Sequence, residues 1–246
     1  MPLELDSRLL FWVLFVGLGL LCTVAELIRP ARPLNYRAVI KNDLAALLLY
    51  EFLFAPAAAY LSASLVSPDR FVFPALLDLP LPLRVGLYYV LADLGSYWMH
   101  RLMHGRHVWR VHRWHHSPPY LYWLAGIRAT LPQQFLFSLP FVFWAPLLHH
   151  LPVWLVPVIL AHGLFLNDWM HMNVTWRSRW LEVVFVTPRY HHVHHSTSAE
   201  HYTANLGALL TIWDRMFGTY VDPETARPVS FGIDTVPSPA RLVLGV

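Results

Sequence analysis

Cysteine is nearly missing from this sequence: 246 residues contain one, Cys22, inside an apolar run. A single thiol excludes an internal disulfide framework, a thiolate zinc cage and an iron–sulfur cluster. Any metal must therefore be held by imidazole or oxygen, and Cys22 reads as a small buried hydrophobe. Charge is scarce too. Asp, Glu, Lys and Arg make up 13% of the chain against 56% hydrophobic residues, about half the charged share of a soluble domain. With a mean hydropathy of +0.42, this is membrane composition. The net charge of +3 and pI near 9.1 do not indicate nucleic acid, because the arginines lie between or beside apolar runs rather than on a solvated basic face. The start, MPLELDSRLLFW, lacks the basic residues of a secretory signal and carries Glu4 and Asp6 instead. The apolar run behind it is longer than a signal core, so a retained membrane anchor is expected. There is no internal repeat, low-complexity tract or soluble linker.

What the sequence does have is apolar runs. Residues 9–28 are 20 in number and span about 30 Å as a helix, the hydrocarbon thickness of a bilayer. Residues 44–66 form a second run, interrupted by Glu51 and Pro56; no role is assigned to Glu51. A third, 83–99, leads into a histidine-rich stretch. Runs 131–148 and 153–170, divided by HHLP, predict a tight helical hairpin kinked at Pro140, Pro146 and Pro157. Four to five spans follow. Residues 29–43 hold Arg29, Arg32, Arg37 and Lys41 against one acid, and 100–130 hold five arginines and no acid. The opposite loop, 67–82, holds Asp69, Arg70 and Asp78. Positive-inside bias places the histidine clusters in the cytoplasm, with the more polar part from Asn173 onward as a cytoplasmic cap.

The stretch HRLMHGRHVWRVHRWHH, His100 to His116, has six histidines in seventeen residues. His100 and His104, four apart, point from one helix face if the third membrane helix continues through them. His112, His115 and His116 follow as H-x-x-H-H, ended by Pro118 and Pro119. In TPRYHHVHHS, Thr187 suits an N-cap and Pro188 the first helical position, and His191, His194 and His195 repeat H-x-x-H-H. His192 falls off that face. Isolated His107, His149, His150 and His201 read as polar anchors. Each cluster alone is a weak metal signal, but three on one predicted membrane side form a set. Eight imidazoles exceed the roughly four to six ligands of one ion, so a dinuclear site is expected; imidazole suits iron, zinc and copper alike.

These motifs, DLGSYWMHRLMH (93–104), WRVHRWHHS (109–117), TPRYHHVHHS (187–196) and IWDRMFGTY (212–220), resemble the fatty acid hydroxylase and sterol desaturase superfamily of integral-membrane diiron oxygenases. The likeness covers about half of the chain. The longer first spacing of the acyl-chain desaturases is absent. The resemblance implies a ninth ligand, His171 in NDWMHMN. Some relatives carry another histidine four residues earlier, where this chain has Asn167, a water-holding residue or a spectator. His162 belongs in the membrane helix, with a lesser claim to the site. Many relatives have a histidine two positions after the arginine matching Arg128; here it is Thr130, which leaves that contact in doubt. Asn205 and Asp214 match positions near the last motif, where they either support the ligands or cap local structure.

Asp93, seven residues before His100 in a membrane helix, needs a partner. Either the ring N–H of a ligand histidine or Arg101 would serve. The expected fold is an all-α integral membrane protein, one domain over 1–246: N-terminal membrane helices (1–82), a histidine-box core (83–220) and a C-terminal tail (221–246). The expected function is O2-dependent hydroxylation or desaturation of an unactivated C–H in a membrane lipid: sterol, fatty acyl, sphingoid or ether lipid. Two iron ions are implied, with zinc in their place as purified. Tyr120, Tyr122 and Trp123 are candidate substrate walls or interface anchors. No G-x-G-x-x-G follows a strand, so electrons should come from a separate ferredoxin- or cytochrome-like donor with its reductase. The rival reading is a histidine-based membrane metal transporter or metal-binding protein, whose ligands belong nearer the membrane midplane.

Overall fold

A computed structural model describes residues 7–66, 74–226 and 230–246. Glu4, Asp6, Asp69 and Arg70, used above for the anchor and the loop charge, lie outside them. The described residues form helices and turns, with only isolated β-bridges between extended segments.

Twelve helices follow in order: α1 Ser7–Ile28, α2 Tyr36–Leu49, α3 Ala55–Leu65, α4 Pro74–Leu77, α5 Leu81–Met103, α6 Trp109–His112, α7 Leu131–Trp144, α8 Leu155–His171, α9 Arg179–Val184, α10 Pro188–His194, α11 Ile212–Met216 and α12 Pro239–Leu244. Between α2 and α3 the helix continues through a wide π turn, Tyr50–Phe54. Pro56, just beyond it, has no N–H to donate and crowds the carbonyl four residues back, and the widened turn absorbs both defects without breaking the rod. Glu51 rides on this turn.

Three segments are long and apolar enough to cross a membrane: Leu9–Ile28, Tyr36–Leu65 and Leu131–Leu148. Their outer faces suit lipid, with Val13, Leu20 and Leu21 each more than half exposed. The expectation of four to five spans is therefore met only in part. Helix α5 has the length but carries Arg84, Asp93 and Arg101, and α8 has 17 residues.

The tight hairpin expected of runs 131–148 and 153–170 does not form. Helix α7 packs along α3 and α5, whereas α8 packs along α1 and α10. Gly95 lets α5 and α7 come close: a Cβ there would lie 2.6 Å from the Pro140 ring. Helices α7 and α8, by contrast, diverge and leave a cavity between them.

Below these helices, residues 104–130, 173–226 and 230–246 make a cap of short helices and turns. Its main core joins Phe15, Leu47 and Phe54 to Trp114, Tyr122 and Leu242. Leu242 belongs to α12, so the C-terminal segment docks against α6 rather than trailing free. Glu26, buried at the end of α1, accepts from the backbone N–H groups of Trp123 and Asn173, each at 2.8 Å, and from the Tyr36 hydroxyl at 2.9 Å. One carboxylate thus fastens the first membrane helix to two segments of the cap.

Candidate metal centre

Helix α5 ends at Met103 with His104 as its C-cap, so His100 and His104 project from its last turn as expected. Helix α6 carries His112, and the tight turn after it carries His115 and His116. Helix α8 ends in His171. Thr187 caps α10 through its hydroxyl, which accepts from Tyr190 N–H, and Pro188 takes the first turn. The same hydroxyl donates to Glu182 (2.9 Å), and Arg189 makes two bonds to that carboxylate at 2.6 and 2.7 Å. The entry to α10 is thereby clamped.

These elements bring the nine named histidines into two buried groups. His100, His104, His112, His116 and His194 form one, and His115, His171, His191 and His195 the other, with the facing atoms of each group within 4.8 Å of one another. The H-x-x-H-H triplets do not each serve one face, contrary to the simple helical reading. The i, i+4 pairs stay together (His112 with His116, His191 with His195), while His115 and His194 cross to the other group.

The ring nitrogens carry the test of a metal. Nε2 of His112 is 3.0 Å from Nε2 of His100 and 3.2 Å from that of His116. In the second group, Nε2 of His171 is 3.2 Å from those of His115 and His191, and His191 is 3.0 Å from His195. Nitrogens bound about 2.0–2.1 Å from one ion stand about 2.8–3.4 Å apart in tetrahedral or octahedral geometry. Nδ1 of His100, His171 and His194 points at the carbonyls of Leu206, Asn167 and Ala204, at 2.7, 2.7 and 2.9 Å. A carbonyl only accepts, so these Nδ1 atoms carry the proton and Nε2 presents its lone pair to the group. His104 has no hydrogen-bond partner on either ring nitrogen, nor has His194 on Nε2. Burial, and then neighbouring imidazoles, push the cap histidines well below the usual imidazole range, as at His112, His116, His191 and His195. They are neutral at physiological pH, the ligating form. The donor set fits two divalent transition-metal ions.

Asp93 bonds neither a ligand histidine nor Arg101, the two partners expected for it. Its carboxylate accepts from the backbone N–H of Leu209 and Leu210 and from the indole N–H of Trp213, at 2.8, 3.0 and 2.7 Å. Three donors from one loop outcompete a distant guanidinium, and Arg101 instead donates to the Tyr97 hydroxyl. Asp214 accepts from the N–H groups of Leu206 and Gly207 and from the Thr219 and Tyr190 hydroxyls. Burial pulls this carboxyl above its ordinary range, while those four bonds oppose the shift. Asn205 takes a left-handed backbone (φ 53°), and its side chain bonds Tyr190 and Val221. Asp93, Asn205 and Asp214 thus hold the 204–213 loop, whose Ala204 and Leu206 carbonyls aim His194 and His100.

Thr130 caps α7 and donates to Val111 O at 2.8 Å, so it braces α6 in place of touching a ligand. His192 lies outside both groups. Arg32 approaches its Nδ1 at 3.2 Å, and burial first, then the Arg32 charge, lowers it to about 3. His162 packs its ring against Tyr89, away from the groups. His201 is buried but joins neither, and His107, His149 and His150 are exposed.

Tyr120, Tyr122 and Trp123 do not line the cavity. Tyr122 donates to buried Asp43 at 2.7 Å, Arg128 pairs with the same carboxylate at 2.6 Å, and Trp123 packs on Gly19. Asp43 was not singled out in the sequence, nor were Glu26 and Glu182. An acid set in an otherwise apolar or basic segment was the available signal for each.

Two cavities reach the histidines from opposite sides. One, of ≈ 430 Å³, lies between α3, α5, α7 and α8 and touches His100, His112, His115, His171 and His191, with Phe137, Phe141 and Leu164 among its apolar walls. The other, of ≈ 530 Å³, is lined by His104, His116, His194, Trp109, Arg113 and the polar 196–199 segment.

Membrane-length apolar helices over a cap that buries nine convergent imidazoles define a helical protein of membrane type whose histidines could hold metal. The profile of the fatty acid hydroxylase family matches residues 85–219, which include all nine histidines. The chain belongs to that family. It is 33% identical over 138 residues to the alkylglycerol monooxygenase of Danio rerio, across 56% of this chain and 30% of that one. It is 34% identical over 162 residues to the ornithine lipid hydroxylase OlsE of Rhizobium tropici (63% and 46% covered). Against the Delta(7)-sterol 5(6)-desaturase ERG3B of Gibberella zeae it is 29% identical over 146 residues (56% and 41% covered). The matches span less than half the length of each of these relatives. No solved structure matches the chain.

Proposed function

We propose that this protein is an O2-dependent diiron oxygenase that hydroxylates or desaturates an unactivated C–H bond of a membrane lipid. The observation that carries the reading is one cavity, walled by membrane helices, that meets imidazoles of both histidine groups. The relatives' names (alkylglycerol monooxygenase, ornithine lipid hydroxylase, sterol desaturase) all describe oxidation of a lipid.

His100, His104, His112, His116 and His194 would hold one ion, and His115, His171, His191 and His195 the other. Bound iron supplies O2 activation and the oxidising power to remove hydrogen from an unactivated carbon. The chain keeps the imidazoles neutral, fixes three of them through backbone carbonyls, and walls the reacting space with Phe137 and Phe141 against water. Zinc suits the same nitrogens and is the ion expected in a sample purified without added iron. Electrons come from a separate ferredoxin- or cytochrome-like donor. The arginines of the cap suit a cytoplasmic position, and the polar cavity beside His104, His116 and His194 suits the donor's approach. A transporter is disfavoured because the histidines sit at and beyond helix ends.

The test is reconstitution with iron, a reductase-coupled donor and extracted membrane lipid, followed by mass spectrometry. A product heavier by one oxygen, or lighter by two hydrogens, formed only under O2 and abolished by chelation of about two metals per chain, is expected. Turnover that proceeds without O2, or metal binding with no lipid change, would overturn the proposal.

A further inference from the structure

The cavity that reaches the histidines is apolar along its helices, yet it contains acids that nothing above uses. Glu51 lines it from the π turn between α2 and α3. It lies eight residues, about 12 Å along the helix, from Asp43 of α2, the carboxylate that bonds Tyr122 and Arg128 of the cap. Glu51 is half-buried in a membrane-length segment and makes no hydrogen bond or ion pair among the described residues. Asp168 lines the same cavity from α8; it is 5% exposed, and its Oδ2 has no partner. Tyr50 lines the cavity beside both carboxyl groups. Ser96 and Gln133, 2% and 4% exposed, also line it, and the Ser96 hydroxyl and Gln133 Oε1 are unpartnered. Among the described residues, no lysine or arginine borders the cavity.

Unpaired buried acceptors are costly, and an ionisable group inside a membrane is a candidate functional site. A π turn widens a helix at the cost of its regular bonding and recurs at functional sites. Plain hydrocarbon would leave these acceptors unpaired. A phosphate or carboxylate would meet two acids and no lysine or arginine. A hydroxyl or ammonium group would satisfy them.

We infer that Glu51 and Asp168 are specificity-determining residues that select a lipid bearing an uncharged or cationic hydrogen-bond donor, a hydroxyl or an amine, close to the carbon that reacts. This rests on the oxygenase reading above and names its substrate class. The oxidised position is then near the polar end of the lipid, and a phosphate, where the lipid has one, stays outside the cavity.

The test reads binding, so it stands apart from turnover. Metal-loaded protein in neutral nanodiscs is titrated with hexadecylglycerol ether, its di-O-methyl derivative, octadecylamine and hexadecyl phosphate. The hydroxyl or the amine lipid should bind about ten- to a hundredfold tighter than the methyl-capped one, the range that stranding buried acceptors gives; which of the two binds better tells hydroxyl from amine. Hexadecyl phosphate should bind weakest. Glu51→Leu, an apolar change in a membrane wall, should shrink the preference to under threefold with metal content unchanged, and Glu51→Gln should restore part of it. Asp168→Asn, the conservative change at the more buried acid, should weaken the preference in the same direction. Equal binding of the capped and uncapped ethers would overturn the inference. So would tightest binding of the phosphate, or variants that lose metal while keeping selectivity, which would make the acids charge compensators for the ions. If the preference holds but no lipid is oxidised, the oxygenase reading fails and the binding site stands.

Discussion

At the scale of single residues, the centre depends on a glycine as much as on its histidines. Gly126, in the tight turn Trp123–Ile127, lies against the His171 ring: a Cβ added there would stand 2.3 Å from Nδ1 and 2.5 Å from Cε1. Such a contact is far inside van der Waals distance, and the nitrogen it strikes is the one held by the Asn167 carbonyl. Gly126→Ala should therefore displace one of the four imidazoles of the second group and leave the first intact. Metal content, measured by plasma mass spectrometry on iron-loaded protein, should fall from about two ions per chain toward one. Gly17→Ala, where a Cβ meets open space, should retain both. Equal metal in the two variants would show that His171 is dispensable. The histidines were legible in the sequence because their spacing matches helical geometry. Gly126 was not, since its role is fixed by a contact across 45 residues of chain.

At the scale of elements, the centre is three carbonyls and a loop as well as four helix ends. Helices α5 and α10 each contribute histidines, and one loop, 204–213, orients His100 and His194 from both. Asp93 anchors that loop to α5 through three donors, two backbone N–H groups and an indole. Asp93→Leu would strand all three in a buried place, at a cost of at least about 3 kcal/mol; Asp93→Asn keeps one acceptor oxygen and should cost about 1–2 kcal/mol. Denaturant unfolding of the metal-free protein checks the order of the two. A leucine variant as stable as the parent would refute the anchoring role. Here the sequence was half-legible. A lone acid in an apolar helix demands a partner, but the pattern cannot say which, and the loop donors lie about 116 residues away. The splitting of each H-x-x-H-H triplet was hidden for a related reason. Spacing gives the face of a helix, whereas the sharing of that face between two ions depends on where the opposite helix lands. The splayed α7 and α8 were misread as a hairpin because their periodicity shows two apolar rods and not their separate packing partners.

At the scale of the whole molecule, the histidine groups are approached from two sides of different character. The membrane-side cavity is walled by apolar residues and acids, and the other opens among serines, Arg113 and Trp109. On the proposed function, a lipid and a polar electron donor would reach the histidine groups without competing for one entrance. In the segment that gives the second cavity Trp109 and Arg113, Arg106 and Arg110 are exposed and no acid lies between residues 100 and 130; Asp234 is the one acid in the lining described. This rim would attract an acidic donor protein, and attraction of this kind acts mainly on encounter and falls with salt. The paired reversal Arg106→Glu with Arg110→Glu should raise the KM for an acidic donor about tenfold at low ionic strength. The gap should narrow as salt is added, since screening removes the advantage the parent protein enjoys. Reduction by a small chemical reductant should be unchanged, because it needs no docking. If the reversed protein accepts electrons from the donor as well as the parent does, the donor approaches from another face, and the polar cavity serves a solvent or proton path instead.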